Sequence, residues 1–125
     1  MVDENTEIGK EPEQLDAKDV KVVEVEIREQ KNKDGKVVGD KLVLRCQHPD
    51  LMEKPIEISQ AIYLRGKNIK TSGLWIGEDD EGRIPFNSAV ANVLRYAKTT
   101  KVNELLGKTI HTAKNDDGFL IVKAY

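Results

Sequence analysis

Pro85-Phe86-Asn87-Ser88-Ala89-Val90-Ala91-Asn92-Val93-Leu94-Arg95-Tyr96-Ala97 opens the stretch, Pro85–Tyr125, that decides the fold. Phe86, Val90, Val93, Leu94 and Ala97 fall at i, i+4, i+7, i+8 and i+11, one apolar stripe along a helix. Asn87 or Ser88 supplies the oxygen that caps its start. Phe86, Val90, Val93 and Leu94 are expected to plug one end of a β structure. Val102, Leu105 and Leu106 make a second short turn, stopped at Gly107, where positive φ is allowed. Lys108–Lys114 is then a strand, Asn115-Asp116-Asp117-Gly118 a turn, and Phe119–Ala124 the last strand.

Upstream of the helix lie three strand-like segments. Val20–Glu29 is the first. Val23, Val25 and Ile27 alternate with Glu24, Glu26 and Arg28, the period of a half-buried strand. Val20 and Val22 lie on the other phase, so a bulge is expected near Val22–Val23. Asp34-Gly35 marks a hairpin tip. Val37–Cys46 is the second strand, with Leu42, Leu44 and Cys46 on one face and Lys41, Val43 and Arg45 on the other. Gly39 permits a bend or bulge there. Between residues 54 and 77 two readings stand: a hairpin, or one long broken strand. Lys54–Ser59 carries Ile56 and Ile58 inward, Arg65-Gly66-Lys67 is a turn, and Asn68–Gly77 carries Ile69, Leu74, Trp75 and Ile76. Glu78–Gly82 is an acidic turn.

With 125 residues the chain has the length of one domain. Residues 1–17 hold Asp3, Glu4, Glu7, Glu11, Glu13 and Asp16 against Lys10, with too little apolar surface to offset the entropy of ordering. They are expected to form an acidic disordered arm ahead of a domain at 18–125. Because the net charge is only −2, that domain carries a positive excess. The single cysteine, Cys46, allows no internal disulfide and fits a reducing compartment. With no signal-peptide pattern and no apolar run near the ~20 residues of a membrane span, a soluble cytoplasmic protein without membrane contact is expected.

The order of three strands, a helix and two strands resembles the OB-fold superfamily. This is a five-stranded Greek-key barrel with its helix between strands three and four. The resemblance covers residues 18–125 and rests on layout, since the fold has no signature motif. It implies a mainly β protein with one helix, in an architecture that commonly binds single-stranded nucleic acid. The implied surface is strands two and three with the loops joining strands one to two and four to five. On that layout Lys31, Lys33 and Lys36 occupy the first loop, and Lys41 and Arg45 the polar face of strand two. Tyr63, Arg65, Lys67, Lys70 and Trp75 follow in the middle region. Lys114 lies in the last loop, beside Asp116 and Asp117. Cations would meet phosphates and flat side chains would meet bases. Trp75 is either a base-stacking platform or, between Leu74 and Ile76, a core residue.

Catalytic chemistry finds little to work with. Cys46, His48 and His111 fall short of the four closely spaced ligands of a structural zinc site. Cys46 and His48 share a strand face, as a nucleophile and base would, yet Cys46 lies on the apolar phase of an inert core thiol. The Glu78–Glu81 run lacks the oxygen spacing of a calcium loop, and the glycines form no phosphate loop. No enzyme, cofactor or metal is therefore expected. Two functions remain. One is non-enzymatic binding of single-stranded DNA or RNA with weak sequence preference. The other is a protein-interaction or self-assembling small-barrel module that offers a strand edge, with Phe119–Ala124 as the candidate edge.

Overall fold

The bulge expected at Val22–Val23 sets the course of the first strand in the computed structural model, which describes residues 3–6 and 15–125. Of the expected disordered arm, residues 1–2 and 7–14 lie outside the described residues. Strand β1 (Val20–Lys31) pairs antiparallel with β2 (Val37–His48), and the register slips between Val22 and Glu24. The slip reverses the phase. Val20 and Val22 are buried and Val25 packs on the core, while Val23 turns outward at 41% exposure. Ile27 is exposed too, contrary to its period-2 pattern and although it stands opposite the buried Leu42, because β7 flanks β1 only at Val20 and Lys21 and leaves this part of β1 an open edge. A second slip leaves Val38 unpaired beside Gly39, the bulge its glycine permits.

β2 also pairs with β3 (Leu51–Ile58), and the segment 54–77 resolves into several strands rather than one. After Ser59 come β4 (Gln60–Arg65) and β5 (Asn68–Gly73), an antiparallel hairpin. β6 (Trp75–Ile76) then returns to β2. Helix α1 (Ala89–Tyr96) and a 3-10 turn (Val102–Leu105) follow, and β7 (Thr109–Ile110), β8 (Thr112–Lys114) and β9 (Leu120–Ala124) end the chain. The protein is thus mainly β, with one α-helix among the described residues. The first sheet has the order β3-β2-β1-β7 with β6 also on β2, and the second has the order β5-β4-β9-β8. β4 and β9 run parallel; every other pair is antiparallel.

Five strands in a closed barrel were expected; among the described residues nine strands form two sheets, with no ladder closing them into a barrel. Two residues make the breaks. The Ser59 carbonyl accepts from Leu74 N–H at 2.8 Å where the chain leaves β3 for β4. The His111 carbonyl accepts from Lys123 N–H at 2.9 Å where it leaves β7 for β8. β9 is not an edge: β4 flanks it on one side and β8 on the other, because β4 supplies a parallel partner that local pattern cannot reveal.

The helix is capped by Ser88, whose Oγ accepts from Ala91 N–H at 3.1 Å. Val90, Val93 and Leu94 are buried as the stripe requires. Phe86 is not part of the plug and stands 73% exposed. It precedes the cap, where the chain is not yet helical, so the spacing of 3.6 residues per turn does not govern its direction. At the far end Lys98 takes φ 59°. Thr99 N–H bonds the Leu94 carbonyl at 2.9 Å and Lys98 N–H the Arg95 carbonyl at 3.0 Å, a Schellman closure with lysine where glycine is favoured.

Residues 16–19 strap the two sheets together. His48 Nδ1 accepts from Asp50 N–H at 3.0 Å, so Nε2 carries the proton and donates to the Asp16 carbonyl at 2.8 Å. Thr112 Oγ1 donates to the Lys18 carbonyl at 2.6 Å, and Lys18 Nζ lies 2.8 Å from Asp50. The core beneath joins Leu42, Leu44, Cys46, Ile58, Leu74 and Leu105, all within 1% of full burial. Side chains of that size contribute about 1.5–3 kcal/mol each when removed from water.

Candidate nucleic-acid interface

Cross-strand pairing lines up two expected site residues in one row with Arg28. Trp75 on β6 stands opposite Lys41 on β2, which stands opposite Arg28 on β1. Directly opposed residues share a face of the sheet, so Trp75 and Lys41 occupy the face that also carries Arg45. Trp75 is 43% exposed, and the Lys41 ammonium lies 5.3 Å from its ring centroid. Of the two readings of this residue, the structure selects the accessible ring; Leu74, its neighbour, is the core residue.

Two glycines seat the indole. A Cβ on Gly39 would meet the ring at 3.5 Å. A Cβ on Gly73 would come within 2.9 Å of both Trp75 Nε1 and Lys41 Cε, closer than real contacts allow. Gly39 and Gly73 thus leave room for a flat side chain against the strands, and the ring keeps 43% of its surface exposed. Their part in the site was missed in the sequence. The signal was there in Gly39, which the strand pattern marks only as a bend.

Two positions along the same face the charges are arranged differently. Glu24, Arg45 and Glu57 are opposed across β1, β2 and β3. Arg45 bonds Glu24 at 2.8 Å and Glu26 at 3.2 Å, and Arg28 bonds Glu26 at 2.8 Å and Glu57 at 3.0 Å. The Arg28 hydrogen bond holds the Glu26 carboxyl below its usual range, with the Arg45 charge acting the same way. Arg45 is therefore on the expected face but tied to glutamates, above the buried Val43.

Lys31, Lys33 and Lys36 are exposed at the end of the β1–β2 ribbon, around a turn in which Asn32 Oδ1 accepts from the N–H groups of Asp34 and Lys36. Arg65, Lys67 and Lys70 are exposed on the β4–β5 hairpin. Lys70 stands opposite Tyr63, two positions from Arg65's partner and on the alternate phase to Thr71 and Gly73. Tyr63 itself is a core residue at 7% exposure, with no ring face for a base; Ala61 and Tyr63 share the inward phase of β4. Lys114 lies away from the ribbon lysines. Its Nζ is 4.0 Å from Asp16, beyond the Val20 end of β1, whereas Lys31 closes the opposite end of that strand.

The thiol and imidazoles do not assemble into a reactive centre. Burial pushes the Cys46 thiol up to about 12, leaving it protonated and unreactive at neutral pH. Both ring nitrogens of His48 are engaged by backbone groups, so neither is free to serve Cys46 as a base. His111 Nδ1 bonds Asp19 at 2.5 Å and its ring meets the edge of Tyr96.

No helix among the described residues is long and apolar enough to cross a membrane. No protein-family model, curated protein or solved structure matches the chain.

Proposed function

We propose that the protein is a non-enzymatic, OB-like binder of single-stranded nucleic acid with weak sequence preference. The observation that carries this reading is the half-exposed Trp75 ring with the Lys41 ammonium 5.3 Å from its centroid. Single-strand sites combine cations for the backbone with aromatic faces on which any base can stack. Lys41 and Trp75 supply one such unit, and Lys31, Lys33 and Lys36 extend the positive charge along the ribbon. Arg65, Lys67 and Lys70 form a second basic cluster on the neighbouring hairpin.

The strand pairings support the OB-like part of the proposal. Taken across Ser59, β3 and β4 are one bent strand; taken across His111, β7 and β8 are another. The pairs β1·β2, β2·β3, parallel β4·β9, β8·β9 and β1·β7 then follow the order of a five-stranded Greek key. On this reading α1 stands between the third and fourth composite strands, and β5–β6 is an inserted hairpin. A lone, buried thiol fits a reducing compartment such as the cytoplasm.

Trp75 is the only tryptophan, so its emission reports this site alone. Titration with oligo-dT at low salt is expected to quench it, with affinity falling steeply as salt rises, and duplex DNA is expected to quench it less. Absence of binding at low salt, where phosphate contacts are strongest, sinks the proposal. One observation favours a second reading as a protein-interaction module. β5 is an open edge strand, and its exposed Ile69 stands opposite the exposed Leu64 of β4. Light scattering that shows a concentration-dependent dimer without oligo-dT binding selects that reading.

A further inference from the structure

Phe86 is one of only two phenylalanines in the chain and stands on the surface at 73% exposure. It is nevertheless held. The Arg95 guanidinium, from the last turn of α1, lies 4.2 Å from its ring centroid. Arg95 covers one face of the ring, and the high exposure of Phe86 leaves the other open. Both residues line a groove of about 780 Å³ between the turn at 79–84 and the end of the helix. Leu94 and Val102 give it an apolar floor, and Arg83 and Lys101 add positive charge to its walls. Asp79 is the one carboxylate among the described lining residues. Its Oδ1 already accepts from the N–H groups of Glu81 and Arg83, each at 2.9 Å.

We infer that this groove is a second stacking site for a single strand, taking one nucleotide with its base against Phe86 and its phosphate on Arg95 and Lys101. The inference rests on the nucleic-acid reading and deepens it. The same pairing of an open aromatic face with a cation occurs at Trp75 and Lys41, and the chain holds the two sites near each other. Asp79 N–H donates to the Arg83 carbonyl at 2.7 Å, so the turn leaves and re-enters at one point. Trp75 is four residues before that closure and Phe86 three after it. At about 3.6 Å per residue their Cα atoms are within about 30 Å of each other. One OB fold commonly engages about 4–16 nucleotides, enough to reach both. Glu78, Asp80 and Glu81 lie in the same turn and repel phosphate. They orient the bound unit, directing its phosphate to the helix wall, where Arg95 and Lys101 stand.

The test uses the full chain and oligo-dT of about 4 and about 12 nucleotides, with affinity and Trp75 quenching measured at several salt concentrations. Phe86→Ala is expected to weaken the longer oligomer about ten-fold. It leaves the shorter oligomer, which occupies the Trp75 site, within about two-fold. Phe86→Tyr, which keeps a flat ring, restores the longer oligomer, whereas Phe86→Leu does not. Lys101→Gln lowers the dependence of log affinity on log salt by about one unit for the longer oligomer only. If Phe86→Ala binds both lengths like wild type while Trp75→Ala loses them, the groove is overturned and the nucleic-acid reading stands. If wild type binds neither length, both fall together. If a Glu-rich peptide, but no oligomer, competes for the groove in wild type and not in Phe86→Ala, the occupant is a protein and the inference is overturned.

Discussion

The two halves of β2 belong to one strand and serve opposite ends. From Val43 to His48 the strand is consumed by its own protein. Leu44, Cys46 and His48 have no exposure, and Arg45 on the other face is bonded to Glu24 and Glu26. From Val37 to Lys41 it is turned to solvent. Val37 and Val38 are half-exposed or more, and Lys41 rests against an accessible indole rather than a carboxylate. Lys41 and Arg45 are four residues apart on the same face, so position does not distinguish them. Cross-strand partners do. A phosphate approaching Arg45 must displace carboxylates at hydrogen-bond distance, whereas Lys41 pairs with no carboxylate among the described residues.

The largest expected difference between the halves is in stability. Leu44→Ala removes a fully buried side chain from the core, and a loss of about 3 kcal/mol is expected from transfer and cavity terms together. Val38→Ala, at a bulge residue 56% exposed, is expected to stay within about 0.5 kcal/mol of wild type. Urea unfolding of both variants makes the comparison directly. Equal losses would mean that the ribbon end is packed as tightly as the core, and the contrast between the halves would be lost.

A smaller effect separates the two cations. Lys41→Gln is expected to weaken oligo-dT binding several-fold at low salt and to lower the salt slope by about one unit. Arg45→Gln is expected to leave the slope unchanged, since its charge already faces glutamates. Replacing Glu24 and Glu26 together by glutamine frees Arg45 and is expected to steepen the slope by about one unit. Should Arg45→Gln flatten the salt dependence as much as Lys41→Gln does, the glutamates do not withhold that guanidinium from phosphate.

Much of the fold was legible in the sequence where it is governed by short-range rules. The phase change at Val22–Val23, the hairpin at Asp34-Gly35, the buried face of Leu42, Leu44 and Cys46, and the Ser88 cap all depend on neighbours within a few positions. Phe86 failed because its helical spacing extends two residues beyond the cap that ends helical geometry. Ile27 failed because alternation shows which face a residue takes but not how far the core reaches. The site was less legible than the fold. Arg45 looked available until the register put Glu24 and Glu57 on either side of it. Tyr63 and Trp75 are both aromatic residues in strands, and their fates diverge through distant partners. Tyr63 joins the core cluster, while Trp75 is held outside it on Gly39 and Gly73. The parallel pairing of β4 with β9 joins segments far apart in the chain, which no local pattern encodes.

The smallest expected effect tests the glutamate lattice through pH. Arg28, and after it Arg45, holds the Glu26 carboxyl below its ordinary value. A carboxyl whose folded value is depressed binds its proton more weakly in the folded chain than in the unfolded one. Its contribution to stability is therefore fully present above the unfolded value, near 4.5, and is lost as pH falls through the folded value. Both arginines stay charged throughout. Asp50 beside Lys18 and Glu104, which accepts from the backbone of Thr100, are depressed likewise and add to the same acid loss. Glu26→Gln removes one carboxyl from that sum, so its melting temperature is expected to fall less steeply than wild type as pH drops below about 5. The change will be modest because the lattice is solvent-exposed and its pairs are screened. Lys41→Gln is expected to follow the wild-type acid profile, since no carboxylate among the described residues pairs with Lys41. A Glu26→Gln profile that runs parallel to wild type through the acid range would show that Arg28 and Arg45 stabilise Glu26 no better than water does. Arg45 would then be as available to a strand as Lys41, and the two halves of β2 would differ only in their cores.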